Sequence, residues 1–133
     1  MGYVYLIAQP TVSGTGDFPK LKPLAEFGTI KVVVEAGDYP SFKPGPIFEK
    51  LVERLKDFDA ENDYVAWAGG DTLSAVMVGS ALAQMGHHSY RWLRFERGRD
   101  PQTKKRTDEG GSYTPVEVMT YIPKDEGVLH GNR

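Results

Sequence analysis

The sequence predicts a single α/β domain, a Rossmann-like three-layer sandwich whose mostly parallel sheet has about five strands and ends in a C-terminal antiparallel hairpin. Three observations lead to this fold class. Short runs of β-branched and aromatic residues alternate with segments of helical periodicity. The segment Tyr64–Gly86 has the composition of a buried strand, a two-glycine turn and a helix, and Ser89–Ile122 carries two further strand patterns. Strands joined through helices pair in parallel, because right-handed crossovers place the helices on the faces of the sheet.

The first third of the chain contains two strand patterns and one short helical pattern. Tyr3–Ala8 is apolar and extended in character, and a loop rich in Gly and Pro follows it at Thr11–Lys20. Leu21–Phe27 has apolar residues near helical spacing and ends before Gly28, so we expect a helix of about two turns. Thr29–Glu35 includes three consecutive valines, which favour the extended conformation.

The middle of the chain carries two helical patterns of different character. The first begins at Pro44–Pro46 and runs to Phe58, with apolar residues on one side and charged residues on the other. The second, Asp71–Met85, has almost no charge, so we expect it to be largely buried and to end at Gly86. Tyr64–Ala68 lies between them and is the predicted third strand.

The C-terminal part is predicted to form the antiparallel hairpin. Ser89–Arg97 alternates its side chains between two faces, as a strand does, and Ser112–Ile122 is the second strand pattern. The polar stretch Gly98–Gly111 would link the two strands. We therefore expect one α/β domain over residues 1–122, followed by a polar tail at residues 123–133.

Length and composition limit the class of protein. The chain has 133 residues, a formal net charge of -2, 40% hydrophobic and 26% charged residues, which are values of a globular domain. It contains no cysteine, and this excludes disulfides, thiolate nucleophiles and cysteine-ligated metals. The sequence has neither the pattern of a signal peptide nor an apolar run that could span a membrane. We expect a soluble, cytoplasmic protein without a membrane partner.

The turn after the third strand is one candidate ligand site. Glycines let the backbone approach a ligand, and the amide groups at the start of a helix attract anions such as phosphate. Ligands of open parallel sheets bind beyond the carboxyl ends of the strands, so the loop after the first strand would contribute as well. The candidate ligand-binding residues are Gly69, Gly70, Asp71, Thr72, Gln9 and Thr11. Alternatively, Asp71 only caps the helix and the glycines only form the turn, since a glycine-rich phosphate fingerprint is absent.

The string Gly69-Gly-Asp-Thr-Leu73 is similar to the Gly-Gly-Asp-Gly-Thr element of the NAD kinase and diacylglycerol kinase superfamily. It lacks the third glycine of that element. The likeness covers a few residues, whereas the family's chains are much larger and have a second domain. A kinase activity is therefore not predicted.

Carboxylates in the loops after the first three strands form a second candidate site. Asp17, Asp38 and Asp71, together with Glu35, offer the oxygen ligands that Mg²⁺ prefers. If they converge, the protein would be a metal-dependent phosphoryl-transfer or nuclease enzyme. The alternative is that these aspartates only form local hydrogen bonds in turns. No cofactor is expected outside the Mg²⁺ of that enzyme hypothesis.

The predicted hairpin is the third candidate site, an interaction surface of basic and aromatic residues. Its members are Tyr90, Arg91, Trp92, Arg94, Arg97, Lys104, Lys105 and Arg106. Basic and aromatic side chains together bind nucleic-acid strands by phosphate contact and stacking, and the same residue types are frequent in protein interfaces. Charges also keep an edge hairpin soluble without any partner. A protein partner is the preferred prediction, with nucleic acid and a homo-oligomer as alternatives.

Several strings resemble, in their order along the chain, those of small uncharacterised proteins of tailed bacteriophages and prophages. They are Gln9-Pro10, the helix Phe48–Phe58 followed by Asp59 and Asp63-Tyr64, Ala68-Gly-Gly-Asp71, Arg91-Trp-Leu-Arg-Phe-Glu-Arg97 and Tyr113-Thr-Pro-Val-Glu-Val118. The resemblance spans most of the chain. Thr72 stands where the group commonly has proline, and Phe95 where it has tryptophan. No catalytic residue carries over, because no activity is assigned to the group.

The resemblance implies a compact, non-enzymatic accessory protein that acts in the host cytoplasm by binding a host or phage macromolecule. This is the leading hypothesis for the function. The first alternative is a nucleotide- or phosphate-binding module that uses the turn at Gly69–Thr72. The second alternative is the metal-dependent phosphoryl-transfer or nuclease enzyme.

Overall fold

The computed structural model describes residues 2–8, 21–35, 45–69 and 72–122, which form a mixed α/β fold. The strands are β1 (Tyr3–Ala8), β2 (Thr29–Val34), β3 (Tyr64–Ala66), β4 (Ser89–Arg99) and β5 (Arg106–Met119). The helices are α1 (Leu21–Leu24), which continues as a 3₁₀ turn at Ala25–Phe27, α2 (Gly45–Arg54) and α3 (Thr72–Gln84). Each predicted strand and helix in this part of the chain is therefore present, with boundaries that differ by a few residues.

The five strands form one sheet in the order β2-β1-β3-β4-β5. β1 lies between β2 and β3 and is parallel to both, and β3 is parallel to β4. β4 and β5 are antiparallel neighbours. The prediction of a mostly parallel sheet with a C-terminal antiparallel hairpin is confirmed.

One face of the sheet packs against α2 and α3. The apolar stripe of α2 and its continuation meets the inward side of α3 over the central strands, and the resulting core includes Tyr5, Ile7, Val33, Leu51, Leu55, Phe58, Val65, Val78, Ala81 and Leu82. α3 is less buried than its composition predicts, because Leu73 and Val76 are 40% and 63% exposed. The low charge of this helix predicted that it would be largely buried, whereas only its inward side packs against the sheet.

The opposite face packs against α1 and the 3₁₀ turn. Leu24 is fully buried there in a smaller core with Val4, Leu6, Ala66, Leu93 and Tyr113. Gly28 ends the 3₁₀ turn with φ 155°, and a Cβ at this position would lie 2.4 Å from the carbonyl oxygen of Gly2. Glycine is therefore needed where the chain turns from the helical segment into β2.

The β4–β5 hairpin extends past the end of β3. β3 pairs with β4 only at Val65–Trp92 and Ala66–Leu93, whereas β4 and β5 stay paired as far as Arg99 and Arg106. The six residues 94–99 of β4 project roughly 20 Å beyond the last pair with β3, at about 3.4 Å per residue. We refer to residues 94–114 as the hairpin arm.

Two boundary predictions are wrong for a physical reason. The polar stretch Gly98–Gly111 was expected to link the strands, but most of it belongs to β4 and β5, and only residues 100–105 form the connecting loop. A two-stranded ribbon exposed on both faces needs no apolar alternation, so its strands resemble a loop in composition. α2 ends at Arg54, and the chain continues through turns to Phe58.

The predicted tail at residues 123–133 lies outside the described residues. Within the described ranges, no helix is long and apolar enough to cross a membrane. Gly86, two residues after the end of α3, has φ 91°, so the predicted glycine stop of this helix is confirmed.

Candidate functional site: a cleft of arginines and tryptophans

The strand order marks the edge of the sheet where a ligand would bind. β2 lies on one side of β1 and β3 on the other, so the order of the sheet reverses between β1 and β3. The connection after β1 contains α1 on one face, while the connection after β3 contains α3 on the other. Connections that diverge in this way leave a crevice beyond the carboxyl ends of the strands, which is the usual ligand position in open α/β sheets.

A cleft of about 820 Å³ lies at this carboxyl edge, where the hairpin arm leaves the parallel sheet. Its lining consists of Trp67, Trp92, Arg94, Phe95, Glu96, Arg97, Arg106, Thr114 and Val116. The volume falls within the range of about 300–1,000 Å³ that is typical of ligand pockets. Three guanidinium groups against one carboxylate make the lining positive, and two indoles supply flat apolar surfaces. We refer to this site as the cleft.

The two tryptophans come from neighbouring parallel strands. Trp67 directly follows β3 and begins its connection to α3. Trp92 lies on β4, opposite Val65 of β3 and Val116 of β5. Both indoles pack in part against the core below α2 and α3, and both remain partly exposed. The core therefore holds both side chains in place while they border the cleft.

Two of the arginines come from β4. Arg94 follows Trp92 by two residues, so both side chains leave the same face of the strand. Arg97 lies at a register irregularity between Glu96 and Gly98, whose partners on β5 are Ser112 and Thr107. Irregularities of this kind bend a strand and redirect its side chains. Arg97 and Arg94 both line the cleft, although a spacing of three residues would place them on opposite faces of a regular strand.

The third arginine, Arg106, follows the tip of the hairpin. Asp100 organises this tip: its Oδ1 accepts hydrogen bonds from the backbone amides of Gln102 and Thr103, at 2.8 and 3.1 Å. The amide of Lys104 donates to the Asp100 carbonyl at 2.8 Å, and Lys104 takes a left-handed φ of 62°. The chain thereby reverses within a few residues and brings Arg106 back beside β4.

Phe95 supports the arm at the same level. Its ring centroid lies 5.0 Å from that of Tyr113. A Cβ added to Gly111 would lie 2.3 Å from the Phe95 Cζ, so the ring occupies the space above this glycine. An aromatic ring over a glycine in a paired strand shields the exposed backbone and stiffens the ribbon.

The sequence of this chain matches the family profile of phage Pam3 gp32-like proteins over residues 3–104. The chain belongs to the phage Pam3 gp32-like protein family. The match comprises 102 of the 133 residues and confirms the resemblance to small phage proteins. Neither the curated proteins nor the solved structures include a significant match to the chain.

The phage Pam3 gp32-like match covers one part of the cleft. It runs from β1 to the hairpin tip and includes Trp67, Trp92, Arg94 and Arg97. The cleft residues contributed by β5, beginning with Arg106, follow the matched region. The two indoles and two of the three guanidinium groups therefore lie within the matched region.

The predicted interaction surface is divided by the structure. Trp92, Arg94, Arg97 and Arg106 meet in the cleft. Lys104 and Lys105 are exposed at the hairpin tip, beside Arg106 in sequence. The two remaining members, Tyr90 and Arg91, lie elsewhere: Tyr90 is 7% exposed within the core under α3, and Arg91 bonds at the opposite edge of the sheet.

Arg91 holds the turn that precedes β3. Its Nη2 donates to the Glu61 carbonyl at 2.8 Å, its Nη1 donates to the Tyr64 hydroxyl at 3.2 Å, and its Cζ lies 4.1 Å from the Tyr64 ring centroid. In the same turn, hydrogen bonds from the Asn62 side chain and the Glu61 amide lower the pKa of Asp59 from its usual value, with a smaller contribution from the Arg91 charge. These contacts assign Arg91 a structural role at the amino edge of the sheet.

The predicted ligand residues of the glycine turn are described only in part. Gly69 has φ 113°, a left-handed value that suits glycine, and Thr72 is the first residue of α3. Gly70 and Asp71 lie outside the described residues, as do Gln9 and Thr11. Trp67, which lines the cleft, precedes Gly69 by two residues, so this turn and the hairpin arm belong to the same edge of the sheet.

The three aspartates of the predicted metal site, Asp17, Asp38 and Asp71, also lie outside the described residues. Among the residues that the structure does describe, no group of three or more His, Asp or Glu side chains is placed to hold a metal ion. The metal hypothesis therefore stays a prediction about the loops after β1, β2 and β3.

Sequence reasoning did not assign Trp67, Glu96, Thr114 and Val116 to the site, although all four line the cleft. One signal for Trp67 was available, since a large aromatic residue directly after a buried strand lies at the carboxyl edge where ligands bind. Thr114 and Val116 could be found only from the pairing register, which places them opposite Arg94 and Trp92.

Proposed function

We propose that this member of the phage Pam3 gp32-like family is a non-enzymatic accessory protein that binds a host or phage macromolecule through the cleft. The observation that carries the proposal is the composition of the cleft, in which two partly exposed indoles lie beside three arginines. Trp and Arg are the residue types most enriched among those that dominate binding energies in interfaces. The hairpin arm, which projects beyond the sheet, would let an extended partner reach the cleft without entering a deep pocket.

We also propose that residues 1–122 form one Rossmann-like three-layer domain and that the protein acts in the host cytoplasm. The strand order and the two apolar cores on opposite faces of one sheet support the fold. On one face the layer is formed by α2 and α3. On the other it consists of α1 and the 3₁₀ turn, which are short.

The proposed function is tested by affinity capture from extracts of phage-infected cells. The tagged chain serves as bait beside the double variant Arg94→Glu and Arg106→Glu, which reverses two charges of the cleft. The matched control, Lys22→Glu with Lys56→Glu, makes the same change of charge at two exposed residues away from the cleft. We expect a macromolecule that the wild-type chain and the control retain and the cleft variant loses.

Equal retention by all three baits, or capture of nothing beyond background, would contradict the proposed function. Nuclease treatment of the extract before capture identifies the class of partner. A partner that survives nuclease and still depends on Arg94 and Arg106 is a protein. Circular dichroism of the three baits checks that each is folded. We expect all three to be folded, because a charge reversal at an exposed position changes the free energy of unfolding by only about 0.5 kcal/mol.

A second candidate function is a nucleotide- or phosphate-binding module at the turn Gly69–Thr72. The reversal of the strand order between β1 and β3 favours it, because the connection after β3 begins at this edge. Thermal-shift measurements with nucleoside mono-, di- and triphosphates test it. A ligand at a hundredfold excess over its Kd would stabilise the fold by about 2.7 kcal/mol, and the shift would persist in the Arg94→Glu, Arg106→Glu variant.

A further inference from the structure

We infer that the occupant of the cleft is a single-stranded nucleic acid, with bases stacked on Trp67 and Trp92 and phosphates held by Arg94, Arg97 and Arg106. The inference rests on the proposed function, because it names the class of macromolecule that the cleft binds. It concerns recognition of an unpaired strand through charge and stacking, without a fixed base sequence.

The first argument is the distribution of charge. The hairpin arm, residues 94–114, contains six basic and four acidic residues and has a net charge of +2, whereas the rest of the chain sums to -4. Within the cleft itself the ratio is three arginines to one glutamate. A protein whose arm is net positive while the rest of the chain is net negative would orient a polyanion toward the cleft.

The second argument is that an indole and guanidinium groups follow one another along one strand. Trp92 and Arg94 leave the same face of β4, about 7 Å apart at two residues of rise. Arg97 lines the cleft further along β4, and Arg106, whose register partner is Arg99, lines it from β5. A single strand presents a base and a phosphate in every nucleotide, so a base on Trp92 would place a neighbouring phosphate within reach of Arg94.

The third argument separates a single strand from other partners. Bases offer their ring faces for stacking on Trp67 and Trp92 only when they are unpaired, and a duplex would meet the arginines alone. An acidic protein segment would likewise pair with the arginines while leaving the two indole faces without aromatic partners. The combination in the cleft therefore favours unpaired nucleotides over both alternatives.

Intrinsic fluorescence offers a direct test, because Trp67 and Trp92 are the two tryptophans of the chain and both line the cleft. The full chain is titrated with a short oligothymidylate under selective excitation of tryptophan. We expect saturable quenching, and a binding constant that falls with rising salt at a log–log slope of about -2, as three phosphate contacts on a single strand require. The variant Arg94→Glu, Arg106→Glu should bind at least about tenfold more weakly, while Lys22→Glu, Lys56→Glu binds as the wild type does.

Replacement of each indole separates stacking from charge. Trp92→Leu should weaken binding of the oligonucleotide by about tenfold. Trp92→Phe, which keeps an aromatic face, should bind the oligonucleotide about as tightly as the wild type does. Fluorescence anisotropy of a labelled strand measures both affinities. Because Trp92 also touches the core, circular dichroism is recorded for both variants. If Trp92→Leu does not fold, Trp67→Leu replaces it in the same comparison.

Three competitors decide the class of partner. A duplex of the same length, thymidine monophosphate and polyglutamate should each compete at least about a hundredfold less well than the single strand. Equal competition by polyglutamate or by the duplex would overturn the inference in favour of charge alone, and equal competition by the monophosphate would favour a nucleotide site. Absence of quenching by the single strand, combined with nuclease-resistant capture that depends on Arg94, would overturn this inference while the proposed function stands.

Discussion

The guanidinium of Arg91 lies over the ring of Tyr64 and also donates a hydrogen bond to its hydroxyl, with Cζ 4.1 Å from the ring centroid and Nη1 3.2 Å from the oxygen. The same side chain reaches the Glu61 carbonyl at 2.8 Å and so joins β4 to the turn before β3. Arg91 and Arg94 are separated by three residues of one strand. One holds the fold at the amino edge of the sheet, and the other lines the cleft at the carboxyl edge.

We therefore predict that Arg91→Ala lowers the free energy of unfolding by about 2 kcal/mol, since it removes the cation–π contact and the hydrogen bonds to Tyr64 and to the carbonyl groups of Glu61 and Asp63. Arg91→Lys should recover less than half of this loss, because an ammonium group cannot stack and bond in the same geometry. Urea denaturation followed by circular dichroism measures the change. Arg94→Ala is the control and should lie within about 0.5 kcal/mol of the wild type. Equal effects of the two alanine variants would contradict this assignment.

Asp63 offers a second prediction, because it is 3% exposed and its two carboxylate oxygens accept hydrogen bonds from different segments. Oδ1 accepts from the Tyr3 amide at 2.7 Å, and Oδ2 accepts from the Asp59 amide at 2.8 Å. Asp63→Ala leaves both amides without this partner and should cost about 3 kcal/mol, whereas Asp63→Asn keeps one acceptor and should cost less.

The measurement for Asp63 is again the free energy of unfolding in urea, with Asp57→Ala at an exposed neighbouring carboxylate as the control. Stability of Asp63→Ala within about 0.5 kcal/mol of the control would show that the two hydrogen bonds contribute little.

Gly111 is predicted to be required for the structure of the hairpin arm. A Cβ at this position would lie 2.3 Å from Phe95 Cζ and 2.9 Å from the Glu96 carbonyl oxygen, so the ring and the strand would both have to shift. We expect Gly111→Ala to destabilise the arm by about 1–3 kcal/mol, as overpacking does elsewhere. Hydrogen exchange of the amides in residues 94–99 should become faster.

Gly45→Ala is the matched control for Gly111→Ala, because a Cβ on Gly45 meets nothing within 4 Å. At this helical position alanine should leave stability unchanged or raise it by up to about 1 kcal/mol. If amide hydrogen exchange in the arm is the same in both variants, the position of the Phe95 ring does not require the absence of a side chain at Gly111.

Tyr5 is predicted to make stability fall at high pH. Burial, with smaller contributions from the charges of Asp63 and Asp57, raises the pKa of Tyr5 from 10.0 to about 12. The unfolded chain therefore loses this proton at lower pH than the folded chain does. The stability from this difference is complete below about pH 10 and is lost as the pH rises to about 12, a change of the order of 2 kcal/mol.

Tyr5→Phe should remove this part of the pH dependence and leave stability near neutral pH almost unchanged, since the Tyr5 hydroxyl is buried and has no hydrogen-bond partner among the described residues. Urea midpoints between neutral pH and about pH 11 measure it, with Tyr121→Phe at an exposed tyrosine as control. A residual decline is expected from Tyr90, whose pKa burial also raises. Identical profiles for Tyr5→Phe and wild type would contradict the assignment.

Much of the fold follows from local patterns in the chain. The run Tyr3–Ala8 forms β1 with the predicted boundaries, and the valines of β2 are extended because their branched side chains disfavour a helix. The low charge of α3 predicted less about its burial, because composition alone does not indicate which side of a helix packs against the sheet. Leu73 and Val76 are exposed for this reason.

The candidate site was predictable only in part. The basic and aromatic residues of β4 are visible in the sequence, and their shared composition grouped Arg91 and Arg94 in one predicted surface. Strand alternation already places these two side chains on opposite faces, but their placement at opposite edges of the sheet follows only from the pairing of β4 with β3. Trp67 lines the cleft because β3 ends beside the arm. This contact joins residues that are far apart along the chain.

The sequence by itself determined the order and type of the elements, the class of phage protein to which the chain is similar, and the residue types that the hairpin offers, because these depend on periodicity, composition and short strings. Tertiary structure decided the strand order, the projection of the arm beyond β3, and the meeting of Trp67 and Trp92 with Arg94, Arg97 and Arg106. Contacts of this kind depend on the register between distant strands, which packing on both faces of the sheet selects and which a local pattern does not encode.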